Sequence, residues 1–127
     1  MHYQELEKRT TEFCKRIRAF TKPLLRSVET QDDARQLRRA ANGMRANYRS
    51  AAVSRTHREF ISRLAIVLEE SDESQGWLQL LNQTDFQGNT EVLELLKEAT
   101  ELRNIFAASY ATAKRNEGGK GGRRMRR

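Results

Sequence analysis

The sequence contains few of the residues that interrupt helices or cross-link chains. It has one proline, Pro23, and one cysteine, Cys14, among 127 residues. A single cysteine excludes a disulfide within the chain and a zinc site built from several cysteines. No stretch approaches the roughly 18 consecutive apolar residues of a membrane span, and residues 1–9 lack the apolar segment of a secretory signal. The composition therefore predicts a single-domain, helix-rich protein of the cytoplasm.

The net charge of +7 is unevenly distributed along the chain. Residues 1–63 contain 15 Lys and Arg against 7 Asp and Glu, whereas residues 64–113 contain 2 against 9. Residues 114–127 contain 7 basic residues and one acidic residue. A basic half and an acidic half can attract each other, within a subunit or between copies. A separate basic tail is suited to a polyanion.

Apolar residues recur at helical spacing in four segments, and strand-like alternation is absent from the sequence. The predicted helices cover about residues 3–21, 31–52, 56–82 and 89–115. Pro23 ends or kinks the first helix because proline lacks an amide hydrogen. The short connections predict an all-α antiparallel up-down four-helix bundle over residues 1–117. Residues 118–127, rich in glycine and arginine, cannot pack a core, and we expect them to form a disordered tail.

Local patterns indicate where the third and fourth helices begin. Thr56 and Glu59 have the spacing of a capping box, in which the Thr56 hydroxyl accepts from the Glu59 amide and the Glu59 carboxylate accepts from the Thr56 amide. Asn89 is a suitable N-cap for the fourth helix. Gly43 lies inside the second helix, where it costs about 1 kcal/mol relative to alanine. Such a glycine favours the close approach of a neighbouring helix.

Six segments resemble, in order and spacing, the four-helix-bundle proteins encoded by 23S rRNA intervening sequences. They are QLRRAA at residues 36–41, AN at 46–47, RTHREFI at 55–61, EESDESQGWL at 69–78, EATEL at 98–102 and ASYATAKR at 108–115. The resemblance covers roughly residues 3–116. The chain departs from one signature of that family. Asn47 is retained, but Arg45 stands in place of a proline, and residues 48–51 differ from the family pattern.

The fold implied by this resemblance is also similar to that of the accessory variability proteins of diversity-generating retroelements. Members of that group form pentameric barrels with basic surfaces and act beside a reverse transcriptase and its template RNA. The additional arginines of the second helix and the arginine-rich tail favour this branch. The resemblance thus implies a homopentamer, with RNA or an RNA–DNA hybrid and a reverse transcriptase as partners.

The sequence offers little catalytic machinery. His2 and His57 are far apart, and neither has a second histidine three or four residues away, so we interpret His57 as an ordinary surface residue. We interpret Cys14 as a small packing residue. The acidic residues within 69–73 lack the Glu-x-x-His pairs of a carboxylate metal site, and no glycine-rich phosphate-binding motif is present. We therefore expect no enzymatic activity, metal or cofactor.

Two groups of basic side chains are candidate nucleic-acid-binding residues. A ridge on the second helix continues into the third, and further residues lie in the fourth helix and tail: Arg35, Arg38, Arg39, Arg45, Arg49, Arg55 and Arg58, then Lys114, Arg115, Lys120, Arg123, Arg124, Arg126 and Arg127. Such side chains neutralise phosphates, so binding should depend on salt and select sequence weakly. The alternative for the ridge is pairing with the acidic half within or between subunits, in particular pairing of Glu70 and Asp72 with Arg38 or Arg39 across a helix or a subunit interface. The alternative for the tail is a solubilising role.

Self-association is also expected, because a thin bundle with aromatic residues at its helix surfaces exposes an apolar patch that a second copy would cover. The opposite charges of the two halves favour head-to-tail contacts that close into a ring, whereas five-fold closure comes only from the resemblance. The predicted function is that of a non-enzymatic oligomeric accessory protein that binds RNA or an RNA–DNA hybrid. The alternative is a protein-interaction scaffold whose charges serve assembly only.

Overall fold

The computed structural model describes residues 3–118 and contains four α-helices joined by short connections. The helices are α1 (Tyr3–Thr21), α2 (Gln31–Ala52), α3 (His57–Gln83) and α4 (Thr90–Gly118). A short 3-10 helix, Pro23–Arg26, lies between α1 and α2, and residues 3–118 contain no strand. These bounds confirm the four predicted helices, although α4 includes Gly118, which we had placed in the tail. The prediction of a disordered tail otherwise concerns residues outside the described part of the chain.

The connection between α1 and α2 is built around Pro23. The proline stands in the first turn of the 3-10 helix, where an amide hydrogen would have no partner within the helix. Thr30 closes the connection, since its hydroxyl donates to the carbonyl of Leu24 at 2.8 Å. The prediction that Pro23 ends the first helix is confirmed.

The caps of α3 and α4 form as predicted from the sequence, except that one hydrogen bond has a different donor. Thr56 Oγ1 accepts from the Glu59 amide at 3.0 Å, and Asn89 Oδ1 accepts from the Val92 amide at 3.0 Å, as predicted. The Glu59 carboxylate, however, accepts from the amide of Arg55 at 3.1 Å rather than from that of Thr56. The extended backbone of Thr56 (φ −132°, ψ 160°) presents the Arg55 amide to this carboxylate.

The four helices pack as an antiparallel up-down bundle. α1 and α3 each contact both α2 and α4, and they lie on opposite corners. The apolar stripes meet in a single core whose largest fully buried side chains include Phe13, Ile17, Leu37, Met44, Leu64, Leu78, Leu95, Leu102 and Phe106. Each such side chain contributes about 1.5–3 kcal/mol by its burial. Within residues 3–118 none of the helices combines the length and apolarity needed to cross a bilayer.

This topology brings four helix termini to one end of the bundle. The start of α1, the turn between α2 and α3, and the end of α4 lie together there. We call it the α2–α3 end. The opposite end holds the other two connections.

Candidate nucleic-acid interface

The arginines predicted to form a ridge on α2 divide into two groups according to what they contact. Arg38 faces α1, where its Nε donates to Thr21 Oγ1 at 2.7 Å and its Nη2 donates to the carbonyl of Arg18 at 3.0 Å. The last carbonyls of a helix have no partner within that helix. Arg38 therefore closes the C-terminal end of α1.

Two more ridge residues are bonded within the chain. Arg45 also faces α1, since its Nε donates to Thr11 Oγ1 at 2.7 Å and its Nη2 lies 3.9 Å from the Glu7 carboxylate. Arg35 donates to the Asp32 carboxylate at 2.9 Å, one turn earlier in α2. Arg45 is thus engaged between helices, whereas Arg35 remains exposed on the surface of its own helix.

The remaining candidates on α2 and α3 project into solvent. Arg39, Arg49, Arg55 and Arg58 are exposed, and their side chains form no hydrogen bond or ion pair with another residue of the described chain. Three of them, Arg49, Arg55 and Arg58, lie at the α2–α3 end. A guanidinium group in this state presents all its donors to a phosphate or carboxylate.

The end of α4 adds two cations at the same place. His57, in the first turn of α3, bonds through Nε2 to the carbonyl of Ala113 at 3.0 Å, and this contact brings the last turns of α4 alongside α3. Lys114 and Arg115 follow directly, and both are exposed and bond to side chains of α4 itself. We call the set of Arg49, Arg55, Arg58, Lys114 and Arg115 the basic end.

Five predicted nucleic-acid-binding residues lie outside the described residues: Lys120, Arg123, Arg124, Arg126 and Arg127. They follow Gly118, the last residue of α4. The sequence therefore continues from the basic end into these five cations.

Arginines of α1 have a different environment. Arg9 donates from Nε and Nη2 to the Glu98 carboxylate at 3.0 and 2.7 Å, and from Nη2 to Glu101 at 3.0 Å. Arg16 donates to Glu94 at 3.1 Å. We call these contacts between α1 and α4 the α1–α4 seam. They confirm that the basic and acidic halves attract each other within one chain.

Within the chain, Glu70 and Asp72 do not form the predicted ion pairs with Arg38 or Arg39, and pairing across a subunit interface stays a prediction. Asp72 accepts from Arg103 Nε at 2.8 Å, not from Arg38 or Arg39, because Asp72 faces α4 while Arg38 faces α1. Arg39 acts on Glu70 only through its charge, which lowers the pKa of that carboxyl slightly against larger opposing effects. Within one chain, the acidic residues of α3 thus do not neutralise the α2 ridge by direct pairing.

Gly43 permits a close contact between α2 and α3, as predicted. A Cβ at this position would lie 2.8 Å from Cδ of Glu70, so the carboxylate side chain occupies the space that alanine would fill. Burial raises the pKa of Glu70, and the neighbouring carboxylates Glu73 and Glu69 raise it further. The structure thus holds a carboxylate at the α2–α3 contact whose charged form is disfavoured.

His57 is buried, so its interpretation as a surface residue is wrong. The reason is that α4 extends past the first turn of α3 and covers the imidazole, whose Nδ1 has no hydrogen-bond partner in the described chain. The interpretation of Cys14 is confirmed. The thiol is buried and donates to the carbonyl of Ala41 at 3.2 Å, and burial raises its pKa. Within the described residues no three His, Cys, Asp or Glu side chains gather as metal ligands would.

An apolar cavity of about 500 Å³ opens at the α2–α3 end. All four helices and the α2–α3 turn line it, with aromatic rings from Tyr3, Tyr48 and Phe60. Tyr3 stacks on Tyr48 with ring centroids 5.2 Å apart, and Tyr48 in turn contacts Phe106 at 5.3 Å. Burial, with a smaller effect of Tyr3, raises the pKa of Tyr48 to about 12. Burial therefore disfavours the phenolate form.

Sequence reasoning missed this cavity. Its aromatic residues are widely separated in the chain, and we had interpreted the aromatic residues at helix surfaces as an apolar patch for self-association. A signal was present, since Tyr3, Tyr48 and Phe60 each lie within about one helical turn of a helix terminus at the α2–α3 end. Antiparallel topology brings such termini together.

Fold and surface together define an all-α four-helix-bundle protein with one cationic end. The family of 23S rRNA-intervening sequence proteins matches the chain over residues 4–108, and the chain belongs to that family. A crystal structure of a protein with unknown function from the S23 ribosomal protein family of Bacteroides thetaiotaomicron is similar, with 25% sequence identity and a TM-score of 0.76. The match covers 83% of this chain and 97% of that one. No curated protein matches the chain.

Proposed function

We propose that this protein is a non-enzymatic, cytoplasmic accessory protein that binds RNA or an RNA–DNA hybrid through its basic end. The observation that carries the proposal is the exposure of Arg49, Arg55 and Arg58 without side-chain partners in the described chain. The sequence leads from the same end into the five cations of residues 119–127. A phosphate backbone supplies the negative charge that such a surface lacks.

We further propose that copies of the chain assemble into a ring, a pentamer. Exposed apolar side chains on α3 and α4 support assembly, since Ile66, Leu80 and Leu93 are each more than one third exposed. A second copy would remove this surface from water. A ring would also gather several basic ends on one scaffold, and linked weak sites gain affinity without new contacts.

The proposed partner of the complex is a reverse transcriptase. The support is the resemblance to accessory proteins of diversity-generating retroelements, together with the exposed Arg49 of α2, at which this chain departs from the pattern of the intervening-sequence family. A reverse-transcriptase gene and a pair of variable repeats beside the coding sequence would support this partner. A position inside a ribosomal RNA gene would favour the intervening-sequence context instead.

A protein-interaction scaffold is the competing function, and the α1–α4 seam favours it. The seam demonstrates that this chain uses opposite charges for cohesion, as when Arg9 contacts both Glu98 and Glu101. If two copies of the chain formed ion pairs of the same kind with each other, the basic end would serve assembly.

The test is a titration of the full-length protein with RNA, and separately with an RNA–DNA hybrid, at two salt concentrations. Light scattering on the same samples gives the oligomer mass. We expect a ring-sized oligomer whose affinity falls as salt rises, because bound phosphates release counterions. Deletion of residues 119–127 should weaken binding and flatten the salt dependence. A ring that binds neither nucleic acid at low salt would contradict the proposal and favour the scaffold.

A further inference from the structure

The cavity at the α2–α3 end has the walls of a site for a flat aromatic group. Its volume of about 500 Å³ lies within the range of small-ligand pockets. Tyr3 is 36% exposed at the rim, while Tyr48 and Phe60 are half-buried. Aromatic rings at the mouth of an open cavity offer faces on which another ring can stack.

Polar groups are also present in this cavity. Ser109 and Tyr48 both line it, and the side chain of each carries a hydroxyl group. A nucleobase carries a flat π-face and several hydrogen-bonding atoms at its edge. The mixture of ring faces and hydroxyls suits such a ligand better than a purely aliphatic side chain.

Unpaired cations flank the same opening. Ala52 and Val53 line the cavity, and Arg49 precedes them by three and four residues, which places it on the same side of α2. Arg55 follows Val53 by two residues in the turn. Both arginines are exposed and lack side-chain partners within the described residues. Cations beside a stacking platform are the combination by which proteins bind single strands.

We propose that the cavity takes an unstacked base of single-stranded RNA, while Arg49 and Arg55 bind the phosphates on either side of that base. The inference rests on the proposed function and names its substrate class. A base inside a duplex is stacked and paired, so it cannot enter the cavity without being extruded. Single strands, loops and frayed ends are therefore preferred over duplex RNA.

The experiment measures the affinity of the full-length protein for three RNAs of one sequence at low salt. They are a single strand, the same strand with abasic sites, and the duplex. The abasic strand keeps the phosphates and removes the bases. We expect the intact single strand to bind about tenfold more tightly than the abasic strand, the effect typical of base stacking on a protein ring.

Variants locate the effect. Tyr3→Ala should abolish the preference for the intact strand and leave the affinity for the abasic strand unchanged. Tyr3→Phe should retain the preference, because the ring remains. Val28→Ala is the matched control, since Val28 is 84% exposed between α1 and α2 at the opposite end. It should change neither affinity.

The outcomes separate this inference from the function on which it rests. Equal binding of intact, abasic and duplex RNA would overturn the base site and leave RNA binding in place. A Tyr3→Ala variant that loses affinity equally for all three RNAs would also overturn it. If that variant instead dissociates in light scattering, the cavity is an interface between copies. Wild-type protein that binds none of the RNAs would overturn this inference together with the RNA-binding part of the proposed function.

Discussion

The α1–α4 seam and the basic end use the same residue type in opposite ways. At the seam, Arg9 forms a two-pronged contact with Glu98 in which both side chains are partly buried, being 29% and 25% exposed. At the basic end, Arg49 and Arg55 extend into water without partners in the described chain. The comparison indicates that whether an arginine is paired within the chain depends on which helix the topology places beside it.

The physical origin of the difference is the position of the acidic residues. Glutamates at positions 91, 94, 98 and 101 lie on the side of α4 that faces α1, so the arginines of α1 find carboxylates within reach. At the α2–α3 end Glu59 is paired with Arg63 and Glu117 with Lys114, and Arg49, Arg55 and Arg58 have no carboxylate partner in the described chain. We therefore expect seam arginines to affect stability and basic-end arginines to affect binding.

The largest effect on stability is expected at the seam. Arg9→Gln leaves Glu98 partly buried without its bidentate partner, and we expect the free energy of unfolding to fall by about 1–3 kcal/mol. Urea denaturation at low ionic strength measures the change. Arg49→Gln is the matched control and should stay within about 0.5 kcal/mol of wild type. Equal losses in the two variants would remove the distinction between the two regions.

A smaller effect is expected where α4 is held on α3. His57→Ala removes the contact with the Ala113 carbonyl and part of a buried ring, and should cost about 1–2 kcal/mol. Hydrogen exchange should show faster opening of the last turns of α4. His57→Phe preserves ring volume without the hydrogen bond, so it separates packing from hydrogen bonding. Unchanged exchange in both variants would mean that this contact does not position Lys114 and Arg115.

A pH-dependent effect is expected at Glu70. Its folded-state pKa is raised, chiefly by burial, so the folded protein binds this proton more tightly than the unfolded chain does. The resulting stabilisation is full below the ordinary glutamate pKa and is lost as pH rises through the raised value. Glu70→Gln should therefore be more stable than wild type at pH 7, by under about 1 kcal/mol because solvent reaches the side chain.

Thermal unfolding of wild type and Glu70→Gln from pH 3 to pH 7 tests this sign. The difference should shrink towards acid pH as Glu70 becomes protonated. A variant that is less stable than wild type at pH 7 would show that the Glu70 charge has a favourable partner. Glu29→Gln is a suitable control, because Glu29 is exposed in the connection between α1 and α2 and is not among the charges that shift the pKa of Glu70.

The smallest effect is expected for the exposed pair between α3 and α4. Asp72 and Arg103 are 2.8 Å apart, but their side chains are 61% and 39% exposed. Asp72→Asn should change the free energy of unfolding by under about 0.5 kcal/mol, and less at high salt. A loss as large as that of Arg9→Gln would show that ion-pair geometry outweighs burial in this bundle.

The helices could be predicted from the sequence because their signals are local. Apolar spacing, Pro23, Thr56 and Asn89 act within a few residues, and the structure places the helix bounds close to those predicted. The ridge on α2 is also a local property of helical geometry. Which edge of that ridge faces α1 depends on the handedness of the bundle, so the engagement of Arg38 and Arg45 could not be predicted.

The burial of His57 and the aromatic cavity required longer-range information. His57 has the spacing of an exposed first-turn residue, and it is buried only because α4 extends as far as Ala113 beside it. The cavity forms where four helix termini meet, and it depends on how far each helix extends. The lengths of the helices depend on the whole chain, and the residues next to Tyr3, Tyr48 or Phe60 do not determine them.

The most direct test of the contrast between the two regions compares two double variants with the same loss of charge. Arg49→Gln with Arg55→Gln neutralises the basic end, and Arg9→Gln with Arg16→Gln neutralises the seam. Both are titrated with the same single-stranded RNA at two salt concentrations, below their unfolding temperatures. We expect the first to bind about tenfold more weakly with a salt slope reduced by roughly 0.7 per lost phosphate contact, and the second to bind within about twofold of wild type. Equal losses of affinity would contradict the assignment, because total charge rather than the basic end would then govern binding.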